Sequence, residues 1–106
     1  MNIFVWVDDV RPCPVSRANC AFPIIECKSY RQAIHHLKNL LEDYQICWID
    51  LDHDLGEGKT GYDIAKWIVE NEIPQPLIRW RCHSSNPVGQ QNIRQLLTHY
   101  GYEVFA

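Results

Sequence analysis

Short apolar runs alternate along this chain with single amphipathic segments, and few folds accept that alternation. Ile3–Val7 is apolar throughout and stops at Asp8-Asp9. Ala21–Cys27, Ile46–Leu51, Leu77–Cys82 and Tyr102–Phe105 are runs of the same kind. Each is too short for a stable helix and is bounded by acids, prolines or polar turns, so each reads as a buried strand. Pro23 near the start of the second run points to a sheet edge. Arg79 and Arg81 interrupt the fourth.

The intervening segments read as helices. Ser29 with Gln32 forms a capping box, and Ala33, Ile34, Leu37, Leu40, Leu41 and Tyr44 then fall on one face. This predicts a first helix near Tyr30–Tyr44. Thr60 with Asp63 opens a second, whose buried side is Ile64, Ala65, Trp67 and Ile68. Asn86-Pro87 opens a third, with Ile93, Leu96, Leu97 and Tyr100 inward and Gly101 closing it. Residues 11–19 and 56–59 read as loops. The order β-β-α-β-α-β-α-β predicts an α/β layered fold with a mainly parallel sheet and right-handed crossovers. At 106 residues with 46% hydrophobic content, residues 1–106 are expected to form a single domain.

The polar residues gather where such a sheet puts its ligand crevice, at the carboxyl ends of the strands. The first strand ends in Asp8-Asp9, the third in Asp52-His53-Asp54, and the fourth in His83-Ser84-Ser85-Asn86. Crowded carboxylates repel, and a divalent cation relieves the repulsion. Asp8, Asp9 and Asp52 offer hard oxygen ligands for Mg²⁺ or Mn²⁺, with water or phosphate completing the shell. Asp50 lies inside its strand, either behind those ligands or as a paired core acid. His83 and His53 are the candidate proton carriers near neutral pH. His83 leads into the third helix and is the expected acid. His53, flanked by aspartates that include Asp54, is the expected orienter or second acid.

Phosphate is expected at the helix openings, where backbone N–H groups are free. That places Asn86, Gly89 and Thr60 at the substrate, with Ser84 beside them and Arg11 adding a charged fork.

These segments resemble response-regulator receiver domains. The shared pattern is the Asp8-Asp9 pair, Asp52 after the third strand, Ser84 after the fourth and Gly61 opening the next helix. The chain departs from them between its first two strands, where a proline-bearing loop replaces the usual helix. It has no lysine after the last strand and no final helix. The chain is more similar to the cyclic-phosphate processing receiver domain family. Val7-Asp8-Asp9-Val10-Arg11-Pro12, Leu51-Asp52-His53-Asp54-Leu55-Gly56, Thr60-Gly61-Tyr62-Asp63 with Lys66-Trp67, and His83-Ser84-Ser85-Asn86-Pro87-Val88-Gly89 carry that resemblance.

The resemblance implies a receiver-like, flavodoxin-like five-stranded sheet in order 2-1-3-4-5 with a reduced helix complement. Two covered faces are expected, one of them thin. The expected activity is a metal-assisted phosphoesterase on cyclic phosphate linkages of nucleotide-like substrates. The alternative is a non-catalytic module that binds a nucleotide or protein partner.

Composition narrows the partners. A net charge of −3 gives no general attraction to nucleic acid. No run approaches a membrane span, and the amino-terminal segment lacks a basic leader region. Five cysteines without a C-x-x-C pair point to a reduced, cytoplasmic protein in which Cys47 and Cys82 are core residues. Apolar surface on the thin face makes a second copy of the chain an expected partner.

Overall fold

In the computed structural model, residues 1–16, 18–56 and 58–105 are described. Glu57, in the expected 56–59 loop, and Arg17, in the expected 11–19 loop, lie outside them. The elements are β1 (Asn2–Val7), β2 (Ile24–Cys27), α1 (Tyr30–Glu42), β3 (Ile46–Leu51), α2 (Gly61–Glu70), a 3₁₀ turn (Gln75–Leu77), β4 (Ile78–Cys82), α3 (Pro87–His99) and β5 (Glu103–Val104). The strands form one sheet in the order β2-β1-β3-β4-β5, every neighbouring pair parallel.

The helix caps come from the residues the sequence offers. Ser29 accepts from the Gln32 N–H, and Thr60 and Asp63 complete a reciprocal capping box. Gln32 differs from the expected box: its side chain accepts from Lys28 N–H, one residue outside the cap. α1 ends at Glu42, short of Tyr44, which is left-handed at φ 55° and exposed. Gly101, at φ 84°, follows α3 and allows the sharp return into β5.

Handedness explains the layers. From β2 onward every crossover moves across the sheet in the same direction. Right-handed connections therefore set all three helices on one face. The core lies between them and the sheet: Val5, Val7, Cys47, Ile49, Leu51, Ile78 and Trp80 meet Leu37, Ile64, Ile68, Ile93 and Leu97. The β1–β2 connection alone runs the other way, and there a loop stands in place of a helix. The second face thus carries no helix among the described residues, which is the thin face expected of the reduced helix complement.

That face is closed by its own side chains. Phe4 and Trp6 are buried, and Phe105 packs edge-on against Phe4 and Trp48 at 6.4 and 5.3 Å. Phe22 covers Trp48 at 5.6 Å. The Arg81 guanidinium sits 4.8 Å from the Phe105 ring centre. Arg79 and Arg81 do not break β4. They alternate with the core residues Ile78 and Trp80 and point to the helix-free face.

Cys27 and Cys47 are buried thiols, pushed up to about 12 by burial; Cys82 is half-buried. No helix among the described residues is long and apolar enough to cross a membrane.

Candidate functional site

Parallel strands of matched length bring Asp8, Asp52 and His83 side by side. Each is the first residue past its strand, and each is tied down by its neighbour's backbone. Asp8 N–H donates to Cys27 O at 3.0 Å, Asp52 N–H to Val7 O at 2.9 Å, and His83 N–H to Leu51 O at 2.9 Å. Asp8 and Asp52 are buried, at 1% and 7% exposure.

Asp8 is fully engaged. Its Oδ1 accepts from the Val10 and Arg11 backbone N–H groups at 2.9 and 2.8 Å. Its Oδ2 meets Arg11 Nε at 2.8 Å and His83 Nε2 at 2.9 Å. The Arg11 guanidinium also reaches Asp52 Oδ1 at 3.4 Å. Its side chain remains half-exposed and is the one cation at the mouth of this cluster among the described residues.

His83 is held at both nitrogens. Nδ1 lies 2.6 Å from Asp50 Oδ1, and Nε2 faces Asp8. Carboxylates only accept, so both ring nitrogens must carry protons and the ring is an imidazolium. Trp6 stacks on it at 4.0 Å, nearly coplanar at 7°. Asp50, buried on the helix-free face of β3, also accepts from Arg81 Nε at 2.6 Å. Asp50 is thus a paired acid behind the crevice. Its partnership with Arg81 follows from register, since the two are directly opposite on β3 and β4. Opposite charges inside two neighbouring strands were the sequence signal for it.

Burial works against the charged form of His83, but its bonds to Asp50 and Asp8 and the charges of Asp50 and Asp52 outweigh it. Its pKa is raised above 6.5. Burial also opposes the Asp8 carboxylate. The Arg11 and Val10 N–H groups, the His83 bond and the Arg11 charge win, and its pKa falls below 3.8.

The two shifts predict how stability depends on pH. Charged His83 contributes fully below 6.5, and that contribution is lost as pH rises through its folded pKa. Asp8 contributes above 3.8 and loses this as pH falls through its own folded value. The thermal midpoint in chelator should therefore be highest between those limits and decline on the alkaline side. His83→Gln should remove the alkaline decline. A wild-type midpoint that stays level well above 6.5 would contradict the charged bridge.

Asp8, Asp52 and a His83 ring nitrogen lie within 4.8 Å of one another. The doubly protonated ring has no lone pair for a metal, so Asp8 and Asp52 are the cluster's candidate cation ligands. Asp9 is outside that group. Adjacent residues leaving a strand diverge, and Asp9 turns to the loop after β3, where a Cβ on Gly56 would lie 3.4 Å from its Oδ2. Asp8, Asp50 and Asp52 are balanced by Arg11, Arg81 and charged His83. A divalent cation at Asp8 and Asp52 would have to take the place of the Arg11 guanidinium, which already bridges the two.

The phosphate-side residues have other duties. Asn86 N–H donates to Ser84 Oγ at 3.0 Å, and Gly89 N–H donates to Asn86 Oδ1 at 2.9 Å. Thr60 is committed to Asp63 at the start of α2. The free N–H groups expected of Asn86, Gly89 and Thr60 are therefore largely satisfied by their own caps. Of the substrate-binding set, Arg11 keeps an accessible donor edge.

His53 shares none of the hydrogen-bond partners of His83 among the described residues. Its ring lies against Gly89, where any Cβ would overlap it, so glycine there is required by close approach. Its Nδ1 is 3.1 Å from Asp54 Oδ1 and 3.4 Å from Asn86 Nδ2.

The family model for the cyclic-phosphate processing receiver domain matches residues 3–99. No curated protein and no solved structure matches the chain.

Proposed function

The chain belongs to the cyclic-phosphate processing receiver domain family, and on that premise we propose that its crevice hydrolyses a cyclic phosphodiester of a nucleotide-like substrate. Ring opening needs an attacking water, a proton for the leaving oxygen and compensation of phosphoryl charge. The seat of His83 carries the reading. A charged imidazole is pinned between two buried carboxylates beside a half-exposed arginine.

Asp50 and Trp6 fix the ring, so the mobile proton is the one on Nε2. The leaving oxygen competes with Asp8 for it and departs as a hydroxyl when the P–O bond breaks. Water supplies the new P–O bond, and its released proton restores the imidazolium. Arg11 turns its outer N–H edge to the phosphate oxygens. His53, oriented by Asp54, stands at the α3 opening as a second polar contact, with Ser84 and Asn86 shaping that turn.

Asp8 and Asp52 would hold Mg²⁺ or Mn²⁺, which would supply Lewis-acid polarisation of a phosphoryl oxygen. Arg11 keeps its role at the phosphate.

The test is a panel of nucleoside 2′,3′- and 3′,5′-cyclic phosphates incubated with protein, with and without Mg²⁺ or Mn²⁺, and separated by anion exchange. At least one should become a phosphomonoester. Asp52→Asn should lose any cation-dependent rise in thermal midpoint. Failure to convert any member removes the hydrolytic reading. Binding without conversion would favour a nucleotide-binding module.

A further inference from the structure

We infer that the cavity between the first turn of α1 and the loop after β3 receives the base and sugar of a nucleoside cyclic phosphate. This rests on the cyclic-phosphate reading and gives the substrate its second half. The cavity has a volume of about 370 Å³, walls of Tyr30, Ile34 and Leu55, and a rim carrying Arg31, Lys59 and Gly56. That is enough for a nucleoside-sized group, and mainly apolar walls with few polar groups are what such a group needs.

Its position ties it to the phosphate site. α1 begins just past β2, whose last residue, Cys27, accepts the Asp8 N–H. Leu55 and Gly56 continue directly from Asp52-His53-Asp54. Asp9, the chain neighbour of Asp8, reaches the Gly56 side of the cavity, where a Cβ on Gly56 would lie 3.4 Å from its Oδ2. A carboxylate at that rim accepts from a sugar hydroxyl and repels phosphate, which keeps the phosphate on the Arg11 side.

Charge favours the same occupant. The chain carries a net −3, yet among the described residues the charged side chains that line the cavity itself are Arg31 and Lys59, with Asp9 at its edge. Lys59 Nζ lies 5.1 Å from the centre of the Tyr30 ring. An aromatic ring under a cation suits a planar base linked to an anion. An acyl chain would use the walls and neither cation.

The experiment is calorimetric titration of the wild type, Ile34→Glu and Tyr30→Leu with two slowly cleaved probes. One is adenosine 2′,3′-cyclic phosphorothioate, and the other is its abasic ribose counterpart. The wild type should bind the adenosine probe about tenfold tighter or more, the gain expected of one stacked base. Ile34→Glu should erase that advantage and leave the abasic probe unchanged. Tyr30→Leu, which keeps the apolar wall, should reduce the advantage several-fold. Equal binding of the two probes by wild type, or an advantage that survives Ile34→Glu in a folded protein, would overturn the inference. Turnover of abasic and nucleoside cyclic phosphates at the same efficiency would also overturn it while the hydrolytic reading stands. Base-dependent binding without turnover would uphold the cavity and remove hydrolysis.

Discussion

Replacing His83 with alanine should lower turnover of a nucleoside cyclic phosphate roughly 10²-fold or more, the size of a lost general acid. The ring cannot be replaced from nearby. His53 is engaged with Asp54 and Asn86 at the α3 opening and bonds neither Asp8 nor Asp50. Alanine would also leave the two carboxylates with only their arginine partners, so His83→Gln is the sharper variant. Glutamine returns a neutral donor but no transferable proton. Both variants should therefore lose activity alike, with glutamine the more stable of the two. In the wild type, turnover should fall as pH rises through the raised pKa of His83, because the charged ring is the working acid. Single-turnover rates checked against circular dichroism separate chemistry from unfolding. Normal turnover in either variant would refute the role.

The largest structural effect should come from a single methyl group. Gly61 is buried at the first position of α2, and a Cβ there would overlap the backbone carbonyl of Asp52 and press on Ile93 Cδ1 at 3.3 Å. A carbonyl at a strand end cannot rotate aside as a side-chain tip does. Gly61→Ala should therefore cost about 3 kcal/mol, the upper end for overpacking. For a domain of this size that lowers the thermal midpoint by on the order of 10 °C or more. Because the displaced atom belongs to Asp52, any binding of Mn²⁺ by that residue should weaken together with stability. Gly58→Ala is the control. A Cβ there meets open space, and the cost is only that of its left-handed φ of 78°, about 1 kcal/mol. Equal melting of the two variants would show that α2 is not seated on the end of β3.

The strands, the helices and the sheet order were legible because local signals agreed. Capping residues, helical spacing and short apolar runs all gave the same segmentation. Right-handedness then ordered the crossovers. What covers the thin face was harder to read, because Phe4, Trp6 and Trp48 make β1 and β3 look buried on both sides without saying by what. Aromatic side chains packing on one another make that second face. Arg79 and Arg81 were the visible sign of it, since a strand covered by helices on both sides has no room for charge at alternate positions.

The acidic corner was legible as a place but not as a set of contacts. Which of Asp8 and Asp9 turns inward depends on where the strand twist ends. The role of Asp50 depends on a cross-strand register with Arg81 that spacing alone does not give. Ser84, Asn86 and Thr60 look like ligand contacts in the sequence because the same side chains cap helices and bind phosphate. Only the bonds they make tell the two uses apart.

The coplanar stack of Trp6 on His83 gives this protein an internal optical probe. A charged imidazole against an indole quenches its emission, and the neutral ring does so far less. Fluorescence from Trp6 should brighten as His83 loses its proton, and a Trp6→Phe protein should lack that component against the other three tryptophans. Any ligand that draws the ring off the indole would register in the same signal, so occupancy of the crevice can be followed without a label.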